Sequence, residues 1–310
     1  MGKVLRVKRM RKISNAANHD SSITYDGFPL DLTELKKSNV LVTGTNSTGK
    51  SLTAIQLCDI LMREGWQCVA VDSSGAWRNK SSIQTFYTVS ETTMRYVLPT
   101  EESMVFDVSL LLPSYQREFL ENILNDIWQW RVKNQPRKWL MIFLEESHLY
   151  MRNIRGMVSQ SLLRMCSVGR NYKTRVCAIS PSLTGIDKEF VRLSSQRYHF
   201  KISPEQHSLR RYRSYYGSDW VRVLRALDTG YCIYYLNEKM QVYKIPLFHS
   251  RTLPQPYVEP KEPIPEKKSI IRRIVAAISG KEETEAYDYE EEYEREQEQN
   301  REDEDFLLEW

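Results

Sequence analysis

Twelve residues constrain this chain more than any others: Val40-Leu-Val-Thr-Gly44-Thr-Asn-Ser-Thr-Gly49-Lys50-Ser51. A short apolar run of strand character passes directly into G-x-x-x-x-G-K-S, and an amphipathic segment follows. Gly44 and Gly49 let the backbone turn tightly, so that successive N–H groups of Thr45, Asn46, Ser47, Thr48 and Gly49 surround phosphate oxygens. Lys50 adds a mobile positive charge for the β- and γ-phosphates, and the Ser51 hydroxyl suits a Mg²⁺ ligand. A helix beginning near Lys50 points its positive end at the same anion. Ala54, Ile55, Cys58, Leu61 and Met62 share one helical face, and Cys68-Val-Ala-Val-Asp72 reads as the next strand. A chance turn would lack this setting. The stretch is a nucleotide-binding P-loop (a Walker A motif), with ATP and Mg²⁺ as its expected ligands.

A second stretch supplies chemistry. Trp139-Leu-Met-Ile-Phe-Leu144-Glu145-Glu146-Ser-His148 opens with a continuous apolar run suited to a central parallel strand buried on both faces. Sites in α/β folds form at the carboxyl ends of strands, so the two carboxylates fall beside the P-loop. In isolation such a pair reads equally well as solvated surface. After a P-loop it reads as a Walker B pair. Glu145 is expected to hold hydrated Mg²⁺, through water and beside Ser51, and Glu146 to orient and deprotonate the attacking water.

Further strands are expected at Thr85–Val89, Met104–Val108, Thr174–Ser180 and Arg197–Ile202, with a closing hairpin from Gly230–Leu236 and Gln241–Ile245. Helices are expected at Tyr115–Trp130, Gln160–Cys166 and Ile186–Leu193. Strands alternating with helices imply an α/β domain with a mostly parallel central sheet covered on both faces. The organisation reads as a basic arm at 1–21, an ATPase domain at 22–250 and a Pro-rich linker at 251–266. A basic amphipathic helix at 267–280 and a disordered acidic tail at 281–310 follow.

Charge bears on the partner. Residues 281–310 hold 15 acidic and three basic side chains, a net −12, leaving 41 basic and 25 acidic residues, or +16, before them. A basic body suggests a polyanion such as nucleic acid; a charged soluble surface is the plainer reading. The tail ends in Phe306-Leu-Leu-Glu-Trp310, whose large apolar residues suggest an anchor for a protein partner, or else a solubilising tail with an idle tip. The five cysteines form no C-x-x-C pair and read as buried thiols. No stretch approaches the roughly 18 apolar residues of a membrane span, and no signal-peptide pattern is evident, so a soluble cytoplasmic protein is expected.

The order of motifs resembles the HerA–FtsK superfamily of P-loop ATPases, nearest its HerA-like branch. The residues that carry the likeness are Gly44–Ser51, Val71-Asp72-Ser-Ser-Gly75-Ala-Trp77, Leu144-Glu-Glu-Ser-His148, Gly169-Arg170-Asn-Tyr and Ile186-Asp-Lys-Glu, over roughly 22–248. The resemblance implies a RecA-like core and a ring, a hexamer by the family's habit. It also implies ATP at subunit interfaces and DNA moved through the ring. It makes Arg170 the candidate arginine finger; a structural Arg at a helix end is the alternative. The family's sensor Gln is replaced here, leaving Ser180 as the candidate γ-phosphate contact. DNA contacts are open between a loop carrying Tyr150, Arg152 and Arg155 and the Arg210–Tyr216 run, which at helical spacing also reads as a helix with one buried face. The expected function is an ATP-driven DNA translocase or packaging motor. A P-loop phosphotransferase and a nucleotide-gated DNA-binding subunit with little turnover are the alternatives.

Overall fold

A computed structural model describes residues 24–25, 27–78, 80–90, 101–151 and 160–246. The arm at 1–21, the linker, the amphipathic helix and the acidic tail with its Phe306–Trp310 tip lie outside the described residues.

A small antiparallel pair, β1 (Thr24–Tyr25) and β2 (Phe28–Pro29), leads to α1 (Leu32–Leu35), where Asp31 caps the first turn by accepting from the N–H groups of Thr33 and Glu34. β3 (Asn39–Thr43) then delivers the P-loop into α2 (Lys50–Arg63). There follow β4 (Gln67–Asp72), β5 (Thr85–Thr88), β6 (Met104–Asp107), α3 (Pro113–Asn134), β7 (Leu140–Leu144), α4 (His148–Met151) and α5 (Gln160–Val168). A 3-10 turn (Gly169–Tyr172) precedes β8 (Thr174–Ser180), α6 (Lys188–Arg192) and β9 (Ser194–His199). Last come α7 (Gln206–Ala226), which breaks at Gly217, and the hairpin of β10 (Tyr231–Leu236) and β11 (Lys239–Lys244).

The nine strands expected from the sequence form one sheet in the order β11-β10-β9-β3-β8-β7-β4-β6-β5. The strands from β9 to β5 are parallel, and the β10–β11 hairpin closes one edge antiparallel. Its turn residues, Asn237 and Glu238, both have positive φ, as a two-residue hairpin turn with the strands' own twist requires. β9 starts and stops earlier than expected. Its polar residues are buried with partners, Gln196 accepting from Tyr234 Oη and Arg197 donating to the Ser194 carbonyl. Phe200 leaves the sheet to serve another purpose, described below.

Alternation along the strands sorts the core into two layers. Leu41, Val69, Val71, Ile142 and Leu144 face α3, which contributes Phe119, Leu120, Ile123, Leu124 and Ile127. Val40, Val42, Cys68, Ala70, Met141 and Phe143 face α2, which contributes Ala54, Ile55, Leu57, Cys58 and Leu61. Each Val, Leu, Ile, Met or Phe among them is worth about 1.5–3 kcal/mol when buried. These layers, more than helix propensity, hold both helices to the sheet. All five cysteines are buried free thiols. Among the described residues no helix is long and apolar enough to cross a membrane.

The sheet register sets the site. Thr43 of β3 pairs with Ser180 of β8, Leu144 of β7 with Ala178 and with Val71 of β4, and Asp72 with Asp107 of β6. The carboxyl ends of five neighbouring strands therefore lie along one edge.

Candidate nucleotide site

The P-loop turns where glycine is required. Gly44 has φ +150° and Gly49 φ +114°, and a Cβ on Gly44 would stand 2.5 Å from Cβ of Phe200. Phe200 is fully buried and forms the floor of the loop, with its N–H donating to the Thr43 carbonyl at 2.7 Å. The loop is fastened at three more points. Gly44 N–H donates to the Ser180 carbonyl, Thr45 N–H to the Lys201 carbonyl, and Gly230 N–H to the Thr48 carbonyl. Among the described residues, the N–H groups of Asn46, Ser47, Thr48 and Gly49 have no protein acceptor. This is the donor set an anion would meet at the start of α2.

Lys50 is buried, and its Nζ donates to the Thr45 carbonyl at 3.0 Å. Burial lowers its pKa, and the negative charges of Glu146 and Glu145 oppose that. The loop after β4 is ordered by Asp72, which accepts from Ser74 N–H and Oγ, Ala76 N–H and Trp77 N–H. This places the Trp77 indole, fully buried against Phe143, so that its Nε1–H donates to Glu145 Oε1 at 3.2 Å. The Ser51 hydroxyl also hydrogen-bonds Glu145. Two sequence-distant motifs thus converge on one carboxylate.

Glu145 is 2% exposed, and burial pushes its carboxyl from the ordinary 4.5 up to about 7; Ser51 and Trp77 oppose the shift, Asp72 and Glu146 add to it. A pKa raised by folding gives stability that is complete below the unfolded value and is lost as pH rises through the folded one. For Glu145 that loss runs from about pH 4.5 to about pH 7. In metal-free protein, Glu145→Gln is therefore expected to raise the melting temperature near pH 8, by roughly 2–4 °C for each kcal/mol relieved. At about pH 4.5 or below it should change little. Melting curves at the two pH values check this, and an equal shift at both would remove burial as the cause.

Glu146 occupies the left-handed region at φ +46°. A residue with a Cβ sits there at a cost of roughly 1–2 kcal/mol, the kind of strain that surrounding structure sustains at functional sites. That structure is visible. Ser147 N–H and Oγ both donate to the Ile179 carbonyl at 2.8 Å, tying the turn to β8. His148 Nδ1 lies 3.2 Å from Glu146 Oε2. The loop after Ser180 packs on His148 so closely that a Cβ on Gly185 would come within 2.3 Å of the His148 Cβ.

The sequence-predicted residues Gly44–Ser51, Glu145 and Glu146 are thus brought together. Ser180 lies at the rim, buried, with its hydroxyl donating to the Ser182 carbonyl at 2.8 Å. Arg170 is elsewhere. It is exposed on the 3-10 turn that precedes β8, at the amino end of the strand whose carboxyl end meets the P-loop. The length of β8 separates them, about 20 Å. Tyr150, expected in a DNA-facing loop, is buried in the core, donates to Gln116 Oε1 at 3.2 Å, and has its pKa pushed up to about 12 by burial. Arg152 and Arg155 lie outside the described residues. Phe200 and Gly230 had no local signature in the sequence; Trp77 stood in a motif, but its contact with Glu145 was not visible there.

The donor set fits Mg²⁺ carried in with a nucleotide. Among the described residues no group of three or more His, Cys, Asp or Glu could hold a metal. A hydroxyl and one carboxylate suit an ion that takes its remaining ligands from phosphate and water.

No family model matches this sequence, and no curated protein does. The fold does have solved likenesses. The genome packaging NTPase B204 from Sulfolobus turreted icosahedral virus 2, in complex with sulfate, superposes with a TM-score of 0.53 at 12% identity, covering 69% of this chain and 99% of that one. Its AMPPCP complex gives 0.52 at 11% identity over 68% and 98%. VirB4 of Thermoanaerobacter pseudethanolicus gives 0.57 at 11% identity over 73% and 95%. This chain has the P-loop ATPase fold that the HerA–FtsK resemblance implies.

Proposed function

We propose that this chain is an ATP-hydrolysing DNA translocase or packaging motor of HerA–FtsK type that works as a ring. One assembly carries the reading: acceptor-free P-loop N–H groups, Lys50 facing two carboxylates, Glu145 held by Trp77 and Ser51, and Glu146 beside His148. Bound Mg²⁺–ATP would supply a polarised γ-phosphoryl group. The loop N–H groups and Lys50 would grip the phosphates, Ser51 would ligate Mg²⁺ directly, and Glu145 would do so through water. Glu146 would take the proton of the attacking water, with His148 holding its carboxylate in place. Contact from Ser180 to the γ-phosphate would require its hydroxyl to leave the Ser182 carbonyl.

DNA as the substrate is supported by the packaging role of B204 and by the basic balance of residues 1–280. A ring is supported by the position of Arg170. Across the sheet from its own P-loop, it can serve phosphoryl transfer only at another subunit's site.

ATP turnover with and without DNA, measured alongside the mass of the assembly, tests the function. Turnover stimulated by DNA in an assembly of several subunits is expected. A monomer or dimer indifferent to DNA would mark a phosphotransferase, and tight ATP binding with little turnover a nucleotide-gated binder. Mixed assemblies test Arg170. Arg170→Ala alone should be inactive, yet regain activity when mixed with Lys50→Ala subunits, whose Arg170 reaches the intact P-loop of a neighbour. Intact mixed rings without recovery would return Arg170 to a structural role.

A further inference from the structure

The helix Gln206–Ala226 has two faces that the nucleotide site alone does not explain. Its inner face is joined to that site by hydrogen bonds. Tyr212, fully buried, donates from its hydroxyl to Thr43 Oγ1 at 2.7 Å, and Thr43 directly precedes Gly44. The same Thr43 hydroxyl lies 2.6 Å from His199 Nδ1, whose Nε2 lies 2.6 Å from the Tyr216 hydroxyl. Arg197 donates to that hydroxyl at 3.0 Å. The Tyr212 hydroxyl is also hydrogen-bonded by the Leu183 backbone, and Arg211 donates to the Ile186 carbonyl at 2.6 Å. Leu183 and Ile186 bracket Gly185, the residue packed on His148. One helix face therefore grips both the base of the P-loop and the loop that rests on the partner of Glu146.

The outer face is different. Arg210, Arg213 and Tyr215 are exposed on the same segment. Neither arginine is in an ion pair among the described residues. Tyr215, 36% exposed, lies on another flank of the helix, its ring 5.9 Å from that of the buried Tyr216. Beyond the break at Gly217 the pattern weakens, because Arg222 is paired with Asp219. Two guanidinium groups on one exposed helix face, neither in an ion pair, are what the phosphates of a nucleic-acid strand engage.

We infer that the exposed face formed by Arg210 and Arg213 is a contact surface for the DNA phosphate backbone, and that Tyr212 and Arg211, which hydrogen-bond inward, link its occupancy to the P-loop and to Glu146. This rests on the DNA-motor reading above and adds to it a site and a route. A strand bound outside shifts the helix, and the helix cannot move without pulling on Thr43 and Ile186. The buried hydrogen bonds leave no slack in that link, since a buried hydroxyl deprived of its partner is destabilising.

The test uses the full chain and a fluorescent oligonucleotide, offered single-stranded and as a duplex. For Arg210→Ala/Arg213→Ala, the slope of log affinity against log salt should fall in magnitude by about 2. Wild type should accordingly lose about tenfold more affinity than the variant between roughly 50 and 200 mM salt. Arg210→Lys/Arg213→Lys should restore the slope. Tyr212→Phe keeps the ring and removes only the hydroxyl. Its DNA affinity should stay within about twofold of wild type, while the ratio of DNA-stimulated to basal turnover falls toward one. Thr43→Val cuts the same link from the strand side and should lower that ratio if Tyr212→Phe folds poorly. An unchanged salt slope in the double Ala variant, with wild type binding DNA, overturns the contact surface alone. Normal stimulation in both Tyr212→Phe and Thr43→Val overturns the route. Absence of DNA binding by wild type at low salt removes the motor reading, and this inference with it.

Discussion

Lys50→Ala is expected to abolish useful nucleotide binding. The ammonium is buried at the mouth of the P-loop and feels both Glu145 and Glu146. Without it, an incoming triphosphate meets two carboxylates and loses the positive charge that offsets them. Truncating one partner of a buried, hydrogen-bonded charge pair costs about 2–5 kcal/mol, which is roughly 30- to 5,000-fold in affinity. Titration with a fluorescent ATP analogue in the presence of Mg²⁺ reads the loss, and turnover should fall at least as far. The fold should survive, because Lys50 lies in the first turn of a helix held by Ala54, Ile55, Leu57 and Cys58. Binding within a fewfold of wild type in a folded variant would take Lys50 out of the site.

Glu146→Gln should separate binding from chemistry. Gln has the shape of Glu and inherits the same backbone, so the turn held by Ser147 and the contact with His148 remain available. On the proposed mechanism, what would disappear is the acceptor for the proton of the attacking water, and removal of a general base typically costs about 10²–10⁴ in rate. Nucleotide affinity should be kept or slightly improved, since one negative charge near Lys50 is gone. Single-turnover hydrolysis beside equilibrium binding distinguishes the two effects. Normal turnover would move the base elsewhere, and Glu145, which faces Trp77 and Ser51, would be the next residue to try.

Much of this was legible in the amino-acid order because parallel strands buried on both faces leave continuous apolar runs that end where the chemistry begins. Val40–Thr43 and Leu140–Leu144 are such runs, and the glycines and carboxylates just beyond them fall where phosphate and metal chemistry would need them. The support beneath was not legible. Phe200 under Gly44, Gly230 on Thr48 and Trp77 on Glu145 are contacts between residues far apart in the chain, and none has a spacing that marks it. Charge misled in detail. Arg131, Arg175 and Arg197 are among the cations counted in the +16 body, yet all three are buried. Arg131 directs its N–H groups to the carbonyls of Tyr172, Lys138 and Lys173, and Arg175 to that of Lys36. Such arginines brace turns and offer nothing to a polyanion. The Arg210–Tyr216 run posed a choice between a buried helix face and a strand-binding face. Its tyrosines at 212 and 216 take the first role, and its exposed arginines leave the second open.

The place of β3 in the sheet also has a consequence for how the molecule is made. This strand leaves the ribosome early, but both its neighbours are late: Val40 pairs with Cys177 on one side and with Gln196 on the other. Thr43 and its His199 partner are 156 residues apart. At a synthesis rate of about 5–20 residues per second, this buried strand waits roughly 8–30 seconds before both of its hydrogen-bonding edges are covered. Every partial chain that stops before β9 carries a P-loop with no floor, because Phe200 has not been added. The phosphate site is therefore among the last features of the domain to be completed during translation, and nascent chains should acquire nucleotide binding and protease resistance together, after β9 emerges.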